Sequence, residues 1–362
     1  MSETKTKETP PEKAKDGKAS QEQEAETKAT APKAPAEKPA PASPKSEKKS
    51  SAKDEAKAEP KAGVKARAVQ TKDQVKDSEK KPAKKPFPMG PNPAIDDEVR
   101  YTSVVFLNAV VPLLKPIVDE KPELRRAFAG KRGVVQISCL TEAGSSIDGR
   151  PKRYATHLVV DGADLQPHLG AHPAPNLEIE FPSPEKFNDF FKGKVNLPKM
   201  RGALSNGKLL VATVKALLAM SSLLGSTSAP ATVAERDLLT KCMFYLLTTG
   251  ISQLNKAGHP DVRKWTEPSP DRVYAYSVDG HPELGAYIRI KAGKSKAFRG
   301  EYTRAAAFFT MRFDSVLSAL GTLLQTDDML EATAAGRLTM EGSPEYGAEL
   351  GALMMAVGDY AK

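Results

Sequence analysis

Three pairs of similar segments recur in the same order along this chain, and they constrain its fold more than any single motif. The pairs are "KPELRRAFAGKRGVVQIS" from Lys121 with "HPDVRKWTEPSPDRVYAYS" from His259, "LEIEFPS" from Leu177 with "FTMRFDS" from Phe309, and "GALSNG" from Gly202 with "GRLTMEG" from Gly336. The offsets are 138, 132 and 134 residues (121 to 259, 177 to 309, 202 to 336). One match could arise by chance, whereas three collinear matches predict a duplicated domain.

Each repeat opens with a predicted apolar helix. In the first repeat, Pro112 and Pro116 are expected to kink or end that helix, because proline lacks the backbone N–H. In the second repeat, "TVAE" from Thr232 is a capping-box pattern, in which Thr232 and Glu235 satisfy each other's backbone donors. Later in the first repeat, Ser183 and Pro184 predict the start of another helix.

Short runs of β-branched and aromatic residues follow the first helix of each repeat and predict strands. The predicted strands include Val134–Leu140, Arg153–Val160, Val273–Val278 and Ala286–Lys291, together with the alternating segments "LEIEF" and "FTMRF". No regular crossover helices join them, which favours a mostly antiparallel sheet with helices at its ends and on one face. The sequence therefore predicts an α+β fold that occurs twice, in residues 97–228 and 230–362.

Residues 1–93 differ in composition from the rest of the chain. The first 90 residues contain 22 Lys and Arg against 15 Asp and Glu, and so carry most of the net charge of +9. Phe87 is their single aromatic residue. Such a segment buries too little apolar surface to offset the entropy of ordering, so we expect residues 1–93 to form a disordered tail.

A cluster of cations lies at the end of this tail, just before Phe87. Lys80, Lys81, Lys84 and Lys85 could contact an anionic membrane surface weakly, at about 1 kcal/mol per lysine. The alternative is a charged linker without a partner, which is favoured because Glu dilutes the lysines upstream. The two repeats lack a basic stripe with interleaved aromatic residues, so no specific nucleic-acid partner is expected.

The segments "FPSPEKFNDFFKGKVNLPKMRGALSNGKLLVATVKALLAM" and "FDSVLSALGTLLQTDDMLEATAAGRLTMEGSPEYGAELGALMM" share an order of elements. A strand ends near Phe and is followed by a helix, a linker, a G-x-L turn and a terminal apolar helix. This order resembles the sterol-carrier-protein, or non-specific lipid-transfer, family over residues 97–225 and 231–362. Gly336, Leu338 and Gly342 match the family's turn, whereas the first repeat departs from it at Asn206-Gly207.

The resemblance implies, in each of two divergent tandem domains, a five-stranded sheet with an apolar tunnel between sheet and helices, covered by the last helix. Non-enzymatic binding or transfer of a fatty acyl chain, a sterol-like molecule or another lipid would follow, at least in the second domain. The candidate ligand-binding residues are Phe309, Phe313, Leu320, Leu338, Tyr346, Leu350, Leu353, Met354, Val357, Phe187, Phe191 and Leu217.

These candidates have a competing interpretation, because an apolar stripe at helical spacing also forms an ordinary core. Met354 and Met355 favour the ligand-binding interpretation, since methionine adapts to variable apolar shapes. If the tunnel is filled by side chains instead, the fold would be an interaction or dimerisation module, with a protein partner or a second copy. The tail would then act as a tether.

No catalytic or metal-binding pattern stands out, so we expect neither an enzyme nor a cofactor. His157, His168 and His172 lack metal-ligand spacing. Cys139 and Cys242 lie in apolar runs and are expected to be buried thiols.

No apolar segment follows the charged start, which favours a cytoplasmic location over secretion. The most apolar helix candidate, "LLVATVKALLAMSSLL", has 16 residues and contains Lys215, so we do not expect it to cross a membrane.

Overall fold

Two five-stranded sheets flanked by helices form the part of the chain that the structure, a computed structural model, describes: residues 95–141 and 152–361. All of these residues belong to one unit, Lys84–Lys362. The predicted tail and its lysine cluster lie outside the described residues. The division into separate domains at 97–228 and 230–362 stays a prediction.

The first sheet has the strand order β3-β2-β1-β4-β5. Its strands are β1 (Arg132–Leu140), β2 (Arg153–Asp161), β3 (Asp164–Leu169), β4 (Leu177–Phe181) and β5 (Lys199–Arg201). Strands β1, β2 and β3 form an antiparallel meander, and β4 pairs with the other edge of β1 in parallel. Antiparallel β5 then forms the edge next to β4.

The second sheet has the order β10-β9-β6-β7-β8, which is the order of the first sheet read from its other end. Its strands are β6 (Arg272–Val278), β7 (Ala286–Lys291), β8 (Lys294–Arg299), β9 (Phe309–Phe313) and β10 (Leu338–Glu341). The matched segments β4 and β9 therefore hold the same place, each in parallel with the first strand of its sheet. This agreement supports the repeat read from the sequence.

The α+β class is confirmed, and each five-stranded sheet is mostly antiparallel, as predicted, but includes one parallel pair. One pair in each sheet, β1 with β4 and β6 with β9, is parallel. The physical reason is the path of the chain, because a parallel pair requires a connection that returns to the starting end of the first strand. In the first sheet, residues 170–176 make that return and bring Leu177 beside Val135.

The helices begin and end close to the predicted signals. They are α1 (Asp97–Val105), α2 (Leu114–Glu120), α3 (Pro122–Phe128), α4 (Pro184–Phe191), α5 (Gly207–Leu224), α6 (Val233–Ala257), α7 (Pro260–Thr266), α8 (Val316–Leu323), α9 (Met329–Ala334) and α10 (Pro344–Tyr360). The capping box at α6 is confirmed, because Thr232 Oγ1 accepts from Glu235 N–H at 3.3 Å and donates to its carboxylate at 3.2 Å. Ser183 likewise caps α4.

Between α1 and α2 the helix is irregular, as the prolines predict. A π-helical turn (Phe106–Val110) and a 3₁₀ turn (Val111–Leu113) replace the regular ladder around Pro112. Proline cannot donate to the preceding turn, so the hydrogen bonds rearrange there. The side chains of this segment are nevertheless buried, except that of Asn108, which is partly exposed.

Helix α6 joins the two halves of the described chain. It is buried along most of its length and lies against α1, α2 and the π-helical turn as well as against the second sheet. Lys121 Nζ, at the start of α3, lies 3.1 Å from the Glu235 carboxylate, and Arg100 Nη1 donates to the Ala257 carbonyl at 2.7 Å. Buried residues from both halves form one continuous hydrophobic cluster.

Two helical stretches are long and apolar enough to cross a membrane: Asp97–Glu120 and Gly207–Leu224. The expectation that the second is too short is therefore corrected, because the helix begins at Gly207 and reaches 18 residues. Buried residues make up 83% of the most apolar window in the first stretch and 33% in the second. Core helices pass the same test, so length and hydropathy alone are weak evidence for a membrane span.

Helices α6 and α10 pack closely against each other at Gly250. A Cβ atom added there would lie 2.5 Å from Cγ1 of Val357, well inside van der Waals contact. We expect Gly250→Ala to lower the free energy of unfolding in urea by about 1–3 kcal/mol, because overpacking strains both helices. Combined with Val357→Ala, the loss should fall short of the sum of the single losses.

The matched control is Gly351→Ala on the opposite helix, where an added Cβ has no neighbour within 4 Å. That change should be neutral or stabilising by up to about 1 kcal/mol, because alanine is the better helix former. Strictly additive losses for the Gly250 and Val357 changes would contradict the close contact between α6 and α10.

Candidate functional site

The space beneath the second sheet is filled by aromatic and aliphatic side chains. Phe309, Phe313, Leu320 and Leu338 are at most 1% exposed. The ring of Phe244 from α6 stacks on Tyr276 and Phe313, with centroids 5.3 and 6.0 Å apart. These four predicted ligand residues therefore lie in a packed core, although Leu320 also lines a shallow cavity of about 380 Å³ beside α8.

The predicted residues of the first half show a similar arrangement. Phe187 is fully buried, and its ring centroid lies 6.2 Å from that of Phe106 and 4.8 Å from that of Phe191. Phe191 and Leu217 are partly buried at the margin of the same core. These three predicted ligand residues therefore lie in a packed core or at its margin.

A cavity of about 750 Å³ opens instead between helices, and we call it the interhelical groove. Helix α6 forms part of its wall with Met243, Leu246 and Leu247. One side is formed by the end of α8 and the residues after it, from Thr322 to Gln325, with Met329. The other side is formed by residues 224–227 and Val110, so both halves of the chain contribute.

Helix α10 supplies the remaining wall through a face of small residues and methionines. Gly347, Ala348, Gly351, Met354, Met355, Gly358 and Ala361 line the groove. The spacing of Gly347, Gly351 and Gly358 places them on one side of a 3.6-residue helix. A Cβ atom added at Gly351 or Gly358 would have no neighbour within 4 Å, so the absence of side chains at these two glycines contributes to the open volume.

Among the predicted ligand residues, Met354 lines the groove. Leu350, Leu353 and Val357 lie on the buried side of α10 and belong to the core. Tyr346 packs instead against Phe308, with ring centroids 4.7 Å apart.

Both ends of α10 are held by specific contacts. At the start, the Arg272 guanidinium lies 4.9 Å from the Tyr346 ring and 4.0 Å from the Phe308 ring. At the end, the Tyr360 hydroxyl lies 3.1 Å from Nε2 of His259. Burial, with a hydrogen bond to Glu98, raises the pKa of Tyr360, so its hydroxyl stays protonated at neutral pH.

The sequence missed most of the groove because its walls come from segments far apart in the chain. The residues of α6 were recognisable as an apolar stripe, but which side of that stripe meets open space depends on packing. One signal was available in α10. The glycines, interpreted as weakening the helix, recur on one face, and such a face leaves room beside a helix.

The groove is electrically neutral. None of the described residues that line it carries a charge, and Ser226, Thr227, Thr322 and Gln325 are its polar side chains. The side chain of Gln325 lies across its rim and donates from Nε2 to the sulfur of Met355 at 3.1 Å. The arrangement can enclose an apolar molecule and offer it a few uncharged hydrogen-bonding groups.

The cysteines and histidines lie elsewhere. Cys139 and Cys242 are buried free thiols, as predicted, and burial raises the pKa of each to about 12, so both stay protonated at neutral pH. The rings of His157, His168 and His172 cluster on the first sheet, with centroids 5.2 Å from that of His157. Within residues 95–141 and 152–361, no group of His, Cys, Asp or Glu has the geometry of a metal site.

Comparisons with known proteins leave the family open. No family model and no curated protein matches the chain. One similar solved structure is a conserved hypothetical protein of Thermus thermophilus, described as a possible sterol carrier protein. It has 15% identity and a TM-score of 0.24, over 32% of this chain and 85% of that one.

A second similar structure is a ubiquinone synthesis protein, UbiJ-SCP2, with 19% identity and a TM-score of 0.23 over 31% of this chain and 96% of that one. A stereoselective inverting sec-alkylsulfatase from Pseudomonas sp. has 14% identity and a TM-score of 0.20, over 42% of this chain and 28% of that one. At such scores these likenesses carry no functional argument, and the activity has to be inferred from the residues of this chain.

Proposed function

We propose that this protein binds an apolar small molecule in the interhelical groove and does no chemistry on it. The observation that carries the proposal is the cavity itself, about 750 Å³ with an uncharged and mostly apolar lining. Pockets for small organic ligands usually measure about 300–1,000 Å³ and combine an apolar wall with a few polar groups.

The side chains of the wall suit a ligand of variable shape. Met243, Met329, Met354 and Met355 line the groove, and methionine is flexible and polarisable. An acyl chain or a fused-ring lipid matches such a wall better than a polar metabolite does, because burying unpaired polar groups costs free energy. A fatty acyl chain, a sterol-like molecule or another lipid remains the proposed ligand class.

The proposal predicts that a bulky side chain on α10 blocks binding. Gly351→Phe should project into the groove and raise the dissociation constant of Nile red by about tenfold or more, because it occupies the ligand's volume. The measurement is a fluorescence titration of delipidated protein, with far-UV circular dichroism to show that the fold is kept.

Ala352→Phe provides the matched control, because Ala352 is exposed on the same helix and does not line the groove. It adds the same side chain and should leave the titration unchanged. Equal binding by wild type and Gly351→Phe would place the dye elsewhere and contradict the proposal.

The second candidate is an interaction module without a ligand. One observation favours it: the side chains beneath the second sheet pack against one another, and Phe309 and Phe313 among them are fully buried. In that case delipidated wild-type protein should show no saturable Nile red binding at all. The partner would be another protein or a second copy of the chain.

A further inference from the structure

Helix α5 carries apolar side chains on a face that is exposed to solvent. Over its 18 residues the mean hydropathy is 1.6, yet buried residues make up only 33% of them. Lys208, Val211, Lys215, Leu218 and Ser222 are exposed and follow one another at spacings of three and four, so they share one side of the helix, which we call the α5 face. Val211 and Leu218 are 55% and 65% exposed. Exposed apolar side chains grouped on one helix face indicate a surface that another molecule covers.

A shallow cavity of about 370 Å³ adjoins this face, between α3 and the first half of α5. We call it the basic pocket, because Arg126, Lys131, Lys208 and Lys215 line it, and no Asp or Glu is among the described residues of its wall. Val211 lies between the two α5 lysines and lines the pocket as well. The basic pocket and the α5 face therefore form one surface, which combines cations with apolar side chains.

The cations of the basic pocket are unpaired, whereas cations close to them in the chain have partners. Lys121 pairs with Glu235 at 3.1 Å, and Arg132 pairs with Asp161 at 2.7 Å. Within residues 95–141 and 152–361, no carboxylate forms an ion pair with any of the four cations of the pocket. Four like charges around one cavity create a positive potential without compensation, and such a potential attracts an anion.

We infer that the α5 face and the basic pocket dock onto an anionic lipid surface. Val211 and Leu218 enter the boundary between head groups and acyl chains, while the four cations contact lipid phosphates. Lysines suit this position, because their aliphatic stems lie along apolar surface while their ammonium groups reach the head groups. Helix α5 lies on the membrane and does not span it, since its other side packs against α2, α3 and α6. This docking does not depend on a ligand in the interhelical groove.

Charge and apolar character together favour an anionic bilayer over other molecules that would cover this face. A second copy of the chain in a symmetric dimer would bring the same cations against one another. Residues 1–90 contain 22 Lys and Arg against 15 Asp and Glu, so they too carry a net positive charge. A nucleic acid would complement the cations through its phosphates, but it would leave Val211 and Leu218 without an apolar partner. A bilayer satisfies both the cations and the apolar side chains.

The test measures flotation of delipidated full-length protein with vesicles of phosphatidylcholine, with and without phosphatidylglycerol. We expect the anionic vesicles to bind at least about tenfold more tightly, and high salt should weaken that binding because it screens the charges. Lys208→Glu/Lys215→Glu should lower the affinity for anionic vesicles about tenfold or more. Leu218→Asp should lower it about fivefold or more, because a carboxylate resists entry into the apolar boundary. All three positions are exposed, so circular dichroism should show an unchanged fold.

Lys256→Glu/Lys264→Glu is the matched control. Both lysines are exposed, on α6 and α7, and neither lines the basic pocket, while the net charge changes by the same amount. This variant should bind anionic vesicles within about twofold of wild type, because the lost charges lie away from the docking surface. Equal losses for the two double variants, or equal binding of wild type to both kinds of vesicle, would overturn the inference.

Two further outcomes would also overturn it. A Lys208→Glu/Lys215→Glu protein that binds anionic vesicles like wild type would assign the binding to another part of the chain, such as the lysine cluster before Phe87. Wild-type protein that binds duplex DNA and no vesicles would identify the basic pocket as a nucleic-acid site. Nile red titrations without vesicles should be the same for every variant, because none of the changed residues lines the interhelical groove. The proposed function therefore stands or falls separately.

Discussion

Replacing Phe313 with alanine is expected to lower the free energy of unfolding by about 3–5 kcal/mol, as for other buried phenylalanines. Phe313 is fully buried, and its ring stacks on Phe244 with centroids 6.0 Å apart. The loss combines the lost burial of the ring with the cavity that remains. Urea denaturation followed by circular dichroism measures it.

Phe190→Ala is the control for this prediction. Phe190 is 40% exposed, so its truncation should lower the free energy of unfolding by less than that of Phe313. The comparison also separates two interpretations of Phe313, which the sequence marked as a ligand residue. A core residue lowers stability when it is truncated. If Phe313→Ala kept its stability and lost Nile red binding instead, Phe313 would belong to a ligand site.

A second large effect is expected at Arg153, which lies between two buried carboxylates. Its guanidinium contacts Glu178 and lies 3.4 Å from Glu180, and these carboxylate side chains are 7% and 1% exposed. We expect Arg153→Met to lower the free energy of unfolding at pH 7 by about 3–5 kcal/mol, because it leaves Glu178 buried without its cation. Glu180 keeps Arg201 at 2.9 Å.

The pH dependence should differ between wild type and this variant. Burial alone would raise the pKa of Glu178, but hydrogen bonds from Ser138 and Gln136 and the charge of Arg153 outweigh it and lower the pKa. In wild type this contribution to stability is present above the unfolded-state pKa and is lost as the pH falls through the lowered folded-state value. The loss of unfolding free energy in Arg153→Met, relative to wild type, should therefore be smaller at pH 5 than at pH 7, because protonation of Glu178 removes its unpaired charge.

Arg132→Met provides the comparison, because Arg132 pairs with Asp161 at 2.7 Å while its side chain is 82% exposed. Exposed pairs contribute about 0–1 kcal/mol, so this change should be small at both pH values. Equal losses for the two arginine variants would contradict the buried network on the first sheet.

The predicted strands and helix starts were set by local signals, and the structure confirms them. "LEIEF" and "FTMRF" form β4 and β9 with the predicted bounds, and the Thr232 capping box starts α6. Apolar alternation and helix capping depend only on residues close together in the chain, so both can be recognised directly in the sequence. The repeat added the expectation that the two segments are equivalent, and both strands do pair in parallel with the first strand of their sheet.

The burial of the polar side of β4 could not be read from the same alternation. Glu178 and Glu180 alternate with apolar residues, a pattern typical of a strand with one side in water. Both carboxylates can be buried because distant residues donate hydrogen bonds to them: Gln136, Ser138 and Arg153 to Glu178, and Arg153 and Arg201 to Glu180. Such pairing depends on strand order, which a single strand does not encode.

The groove escaped prediction for a related reason. The apolar side of α10 was recognised, and Leu350 and Val357 are buried as that pattern implies. At Gly351 and Gly358 this helix meets open space, because the end of α8, the middle of α6 and residues 224–227 surround that space without filling it. The position of a cavity depends on how distant segments pack against one another. The helical periodicity of a single segment does not predict that packing.

Native mass spectrometry of the protein purified from its producing cells without organic extraction tests the central claim most directly. If the interhelical groove holds an apolar ligand, wild type should carry a discrete non-covalent adduct that extraction removes. Gly351→Phe should lack that adduct, whereas Ala352→Phe should keep it. An adduct-free wild type that also fails to bind Nile red, or an adduct retained in full by Gly351→Phe, would contradict the account.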